Sequence, residues 1–185
     1  MNLKNTLLAV ALAGLPVISN ANESEEKGFF EFDRLTNFNY DKVEVDASLH
    51  KKSAQAAIYK SFHSNAFAGV NIDTNFEGRD ILGLSMNFAA PITNWADITG
   101  GFSYKSTLQS GNKDSGWSVN VGIKQWLSMQ VELGAKLEID YFDDSNVYGD
   151  VYARFHATQN FSIGAKLAHS DLSNTALYVT TEFAY

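Results

Sequence analysis

The sequence has no cysteine, and its 185 residues include only two prolines. Lack of cysteine excludes disulfide stapling, and it also excludes a lipid anchor attached through an N-terminal cysteine. No stretch repeats apolar residues at three and four apart, so amphipathic helices are not expected. Lysine and arginine number 14 against 21 aspartate and glutamate, a formal net charge of −7. No basic stripe exists to displace counterions from phosphates, which argues against a nucleic-acid partner. After residue 21 no apolar run approaches the roughly 20 residues of a spanning helix, so a membrane location would require a barrel.

What is present begins with an export signal. The opening MNLKNTLLAVALAGLPVISNA carries Lys4 as its only charge, then an apolar run from Thr6 to Ile18, then small residues at Ser19 and Ala21. This is the pattern of a secretory signal peptide cut after Ala21, and the run is too short to span a bilayer as a helix. Residues 1–21 are therefore read as the signal peptide. Its removal takes away one lysine and no acid, which shifts the net charge from −7 to −8.

From Tyr40 onward large and small side chains alternate with period two, broken at regular intervals by short polar clusters. The breakpoints place ten strands, near Asn39 to His50, Ala54 to His63, Ala66 to Asn75, Asp80 to Ala90, Ala96 to Leu108, Gly116 to Trp126, Met129 to Phe142, Val147 to Ala157, Phe161 to His169 and Thr175 to Tyr185. Eight strands is the alternative count. Each is near the roughly 9 to 11 residues of a tilted transmembrane strand. One set of turns is anchored at Ser64, Thr93, Ser128 and Thr158, at successive gaps of 29, 35 and 30 residues, one hairpin pair per step. The other set is richer in charge and glycine. In an outer-membrane barrel the first set faces the periplasm and the second the outside.

Seven strands have clearly separated faces. One face carries residues such as Leu84, Met86, Phe88, Val119, Val121, Leu133, Leu137, Val151, Ile163 and Leu167; the other carries Lys105, Lys124, Glu132, Lys136, Glu138, Asp150, Arg154, Lys166 and Glu182, with signs close to balanced. A soluble barrel would turn the apolar face inward, whereas a membrane barrel turns it outward. Aromatics gathered at strand ends favour the membrane. Trp95 and Trp126 stand beside one turn set and Trp117 and Tyr141 toward the other, as interfacial girdles require. The expected architecture is an all-β, closed, antiparallel up-and-down transmembrane barrel over residues 39–185. Residues 22–38 precede it, with an acidic start and then Phe29, Phe30 and Phe32. This segment is expected to plug the barrel from the periplasm, to lie along the interface, or to add a strand.

The closing stretch YVTTEFAY, with Val179, Phe183 and Tyr185 on one face, resembles the C-terminal insertion signal of small Gram-negative outer-membrane β-barrel proteins. The resemblance covers the whole region after the signal peptide as an alternation of strands, and the ten-strand count with tight turns looks more like a small porin-like family than the eight-stranded type. Tyr185 stands where the group most often has phenylalanine. The resemblance implies an outer-membrane location, recognition of the last strand by the barrel assembly machinery, and contact with outer-membrane lipid and lipopolysaccharide. A monomer is expected.

Inside a narrow lumen the five cations named above are expected to face Glu132, Glu138, Asp150 and Glu182 as a hydrogen-bonded ion network. Such a network either fills the barrel or lines a narrow ion path, and at ten strands filling is favoured. No cofactor and no metal site is expected. His63 to Asn65, and His169 to Asn174 with Glu182, loosely resemble the His-x-Ser-Asn of outer-membrane lipid A deacylases, but neither has the right spacing. Asp143 and Asp144, with Asp140 nearby, read as an acidic turn and not a calcium loop, and Asp140 is expected to face the lumen. The chain is therefore expected to be a non-enzymatic barrel, structural or porin-like, with a lipid-modifying enzyme or a surface-binding barrel as alternatives.

Overall fold

A computed structural model describes residues 35–78, 80–108, 114–142, 144–170 and 175–185. The proposed signal peptide, most of the 22–38 segment, Asp143 and residues 171–174 lie outside the described residues. Ten strands follow one another: β1 (Lys42–Ser48), β2 (Ala54–His63), β3 (Ala66–Thr74), β4 (Asp80–Thr93), β5 (Ala96–Thr107), β6 (Ser115–Ser128), β7 (Val131–Phe142), β8 (Asp144–His156), β9 (Phe161–Ser170) and β10 (Ala176–Ala184). Each pairs antiparallel with its sequence neighbours, and β10 returns to β1 to close the barrel. Closure leaves no strand edge with unpaired backbone groups.

The tight turns form where short hydroxyl side chains cap the backbone. The Trp95 N–H donates to Thr93 Oγ1 at 3.1 Å, the Gln130 N–H to Ser128 Oγ at 3.4 Å, and the Phe161 N–H to Thr158 Oγ1 at 3.0 Å. These turns, the start of β1 and the end of β10 lie at one rim, called the hairpin mouth below. Register shifts occur beside this rim, between Ser61 and His63, Pro91 and Thr93, and Trp126 and Ser128. Pro91, which cannot donate to a ladder, is accommodated next to such a shift.

Strand ends differ from expectation by three residues in three places: β4 runs on to Thr93 rather than Ala90, β8 begins at Asp144 rather than Val147, and β1 begins at Lys42 rather than Asn39. The Asp41 N–H donates to the Asn39 side-chain oxygen at 2.9 Å, a local bond that competes with sheet pairing and takes this stretch out of the ladder.

The faces are inside-out relative to a soluble protein. Large apolar side chains point outward on every strand from β1 to β9, with Met86 65% exposed and Leu137 58%. Exposing each to water would forfeit roughly 1.5–3 kcal/mol. Among the described residues the largest fully buried side chains are Glu132, Thr180, Asp97, Ser118 and Ser162, none of them apolar. An apolar exterior around a polar interior is the arrangement of a transmembrane barrel.

Candidate functional site in the barrel lumen

Inward positions of β1 and β5 to β10 form a charged wall. Arg154 on β8 donates from Nη1 to Glu182 at 2.6 Å and to Glu44 at 2.8 Å, and from Nη2 to the Thr180 hydroxyl at 2.9 Å. Its guanidinium lies 4.4 Å over the Tyr152 ring. Lys42 bridges the same two carboxylates at 2.7 Å each. Toward the far rim Lys105 donates to Glu138 at 2.5 Å and Asp140 at 3.0 Å, while Lys136 is 3.2 Å from Glu138 and 3.7 Å from Asp150. Lys124 pairs with Glu132 at 3.4 Å, and Glu132 also meets His156 at 2.9 Å and the Tyr152 hydroxyl at 2.7 Å.

Four of the five cations singled out from the sequence therefore meet the carboxylates expected. Lys166 does not: it bonds Asp46 on β1 and Gln55 on β2. Lys42, Glu44 and Asp46 were missed, although KVEVDAS alternates charged and apolar residues strictly. The near balance of charge also needs correction. Among the described residues the inward cations are Lys42, Lys105, Lys124, Lys136, Arg154 and Lys166. The inward carboxylates are Glu44, Asp46, Asp73, Asp97, Glu132, Glu138, Asp140, Asp150 and Glu182. Six against nine leaves a net charge of −3.

Across from it, the chamber surface on β3 to β6 carries the neutral groups Asn71, Ser85, Asn87, Thr99, Ser103 and Asn120, with Asp73 the one charge that β3 contributes. Between the walls lies a chamber of about 390 Å³. Two tyrosines lie flat against the barrel instead of filling it. Tyr59 covers Gly69 and Tyr152 covers Gly134, and a Cβ at either glycine would collide with the ring. The missing side chains let the rings lie along the wall.

The hairpin mouth is stopped by the chain just before β1. The Asn37 backbone N–H donates to both Asp97 oxygens at 3.1 Å, and its side-chain amide donates to Asp97 Oδ1 and to the Thr93 carbonyl at 2.7 Å each. The Tyr40 hydroxyl donates to Asp97 Oδ2 at 3.2 Å. Phe38 stacks on Trp126 at 4.9 Å and Tyr40 on Phe67 at 4.6 Å, and both Phe38 and Tyr40 are buried. Of residues 22–38 only 35–38 are described, and there Asn37 and Phe38 pack across this mouth.

Trp126, expected in an interfacial girdle, is corrected by this packing. It stands two residues after inward Lys124, stacks on Phe38, and donates from Nε1 to the Asn37 carbonyl at 3.3 Å. Trp95 is 56% exposed beside its turn, and Trp117 stacks on Tyr141 at 4.1 Å on the outer face. Phe183 and Val179 lie on the same side of β10 as Tyr185, whose hydroxyl donates to the Tyr59 carbonyl at 2.9 Å. A phenylalanine could not make that bond.

Among the described residues no acid–base–nucleophile set converges at Ser64 or Ser170; Ser173 lies outside them. The Ser64 hydroxyl lies 3.2 Å from His63 Nδ1, but the contact sits within a tight turn between adjacent residues. Ser170 bonds Asn146 near the far rim, whereas Glu182 is level with Ser162, eight residues along β9. That separation is roughly 26 Å at a strand's rise per residue. Asp140 faces the lumen as expected and accepts from Lys105.

No protein-family model matches the sequence, and no curated protein does. Among solved structures the chain is similar to a KdgM porin, with a TM-score of 0.54 and 10% identity over 78% of this chain and 98% of that one. It is similar also to a KdgM porin in complex with disordered oligogalacturonate, with a TM-score of 0.51 and 9% identity over the same shares. The chain thus has a porin-type barrel fold.

Proposed function

We propose that the protein is a non-enzymatic integral barrel of the outer membrane, a narrow porin-like passage with a charged, largely filled lumen. The observation that carries this reading is the 390 Å³ polar chamber along the barrel, floored at the hairpin mouth by Tyr40 and the plug segment. Export through residues 1–21 brings the chain to the barrel assembly machinery, which reads Val179, Phe183 and Tyr185 in the last strand. Outer-membrane lipid and lipopolysaccharide then cover the apolar exterior, and closure without a free edge suits a monomer. Two observations support a passage over a catalyst: every inward carboxylate among the described residues except Asp73 is engaged by a cation or a neutral donor, and His63 and Ser64 meet only as turn neighbours. Oligogalacturonate, the ligand of one KdgM porin structure, is not carried over, because nine inward carboxylates against six cations oppose a polyuronate.

Single-channel recording of the refolded protein in planar bilayers tests this reading. The wild type should show rare, small steps, and the paired substitution Phe38→Ala with Tyr40→Ala should give larger, longer ones. Absence of current in both proteins, each verified as folded, would leave a filled structural barrel and overturn the passage.

A further inference from the structure

We infer that the chamber holds a binding site for a small alkylammonium solute, centred on Asp73. This deepens, and rests on, the reading of the lumen as a solute-accessible interior. Three observations converge on the same corner. The first is charge. Each inward cation lies within 4.0 Å of at least one carboxylate, so no lumen cation is free to receive an anion. Asp73 lines the chamber, and among the described residues neither a hydrogen bond nor an ion pair reaches it.

The second is register. Asp46 is opposite Gln55 and Gln55 is opposite Asp73, so a carboxylate, an amide and a carboxylate form one row across β1, β2 and β3. Adjacent strands are about 4.8 Å apart, so the two carboxylates stand roughly 10 Å from each other at the backbone. Lys166 takes one oxygen of Asp46, while the other, Oδ1, is buried with no hydrogen-bond partner among the described residues. Acceptors left without donors are costly, and an ammonium brings three donors in one group.

The third is an apolar spot. Ile81, opposite Asp73 on the next strand, points into the chamber. An ammonium held at Asp73 can lay a short alkyl tail over Ile81, which a bare metal cation cannot exploit. The neutral amides of Asn71 and Asn87 line the chamber nearby, while Lys105, Lys136 and Lys166 lie beyond ion-pair distance of Asp73, each held by a carboxylate of its own.

The test is titration calorimetry of the refolded protein in a nonionic detergent, with n-butylammonium and butyrate as probes of similar size and opposite charge. Binding of n-butylammonium with no detectable binding of butyrate is expected, and Asp73→Asn should weaken the former at least tenfold. The charge comparison on the wild type needs no variant, so it stands even where Asp73→Asn fails to refold. Butyrate binding equal to or tighter than n-butylammonium, no binding of either, or an unchanged affinity in folded Asp73→Asn would each overturn the site. Equal competition by potassium would reduce it to an inorganic cation site and overturn the alkylammonium assignment. The measurement does not depend on current: binding without conductance refutes the passage and keeps the site, and conductance without binding does the reverse.

Discussion

Replacing Arg154 by leucine removes the guanidinium from the most heavily bonded position of the lumen, and its cost reports how dry that lumen is. Arg154 is 4% exposed, contacts Glu44 and Glu182 at 2.8 and 2.6 Å, and donates twice to the fully buried Thr180 hydroxyl. Removing one partner of a buried, hydrogen-bonded ion pair costs about 3–5 kcal/mol. Lys42 still reaches both carboxylates at 2.7 Å, so the low end applies: about 3 kcal/mol, or roughly 150-fold in the folding equilibrium. Adding Glu182→Gln to Arg154→Leu removes the stranded charge and should recover about 1 kcal/mol or more. Reversible urea unfolding in lipid vesicles, followed by tryptophan fluorescence, measures both differences. A loss below about 1 kcal/mol, the scale of solvent-screened pairs, would mean that water fills this part of the barrel and would refute the filled lumen.

Further outcomes follow from the rim and the exterior. Tyr185→Asp should sharply lower the amount of folded, heat-modifiable protein in the outer membrane, whereas Tyr185→Phe, which loses only the bond to the Tyr59 carbonyl, should cost about 1 kcal/mol; normal folded levels of the Asp variant would count against the assembly signal. In vesicles of brominated lipid, a variant retaining only Trp95 should be strongly quenched and one retaining only Trp126 weakly; equal quenching would contradict the inward placement of Trp126. Burial alone would push the Asp41 carboxyl up, but hydrogen bonds from Lys60 and from the Ser61 hydroxyl and N–H outweigh it and hold the carboxyl below its ordinary 3.8. A depressed folded value means stability that is fully present above 3.8 and lost as the pH falls through the folded value. The stability gap between wild type and Asp41→Asn should therefore be constant near neutral pH and shrink below 3.8, and a gap that widened in acid would reverse the sign.

Much of this was legible in the sequence because a barrel strand repeats every two residues. Ala54 to His63 was bounded correctly at both ends, and the turn anchors Thr93, Ser128 and Thr158 do cap their turns. The inward set on β6 to β10 followed from the same parity. Partners across the lumen were less legible, because which inward residues meet depends on how the closed sheet is sheared, and no strand states that alone. Lys166 thus finds Asp46, far away in sequence. Trp126 shows the other limit. Its parity with Lys124 pointed inward, but its residue type suggested an interface, and only the arrival of Phe38 and the Asn37 carbonyl explains a tryptophan at a lumen mouth. The row of Asp46, Gln55 and Asp73 required the pairing register of three strands, which alternation does not encode.

The inside-out barrel is tested most directly at two adjacent residues. The chain has no cysteine, so Met86→Cys and Asn87→Cys each create a unique thiol, the first on the apolar exterior and the second facing the chamber. With the protein reconstituted in lipid vesicles, a small water-soluble methanethiosulfonate should label the protein carrying Asn87→Cys and leave that carrying Met86→Cys unreacted until detergent is added. Labelling of the Met86→Cys protein with protection of the Asn87→Cys protein would place the apolar face inward and contradict the account.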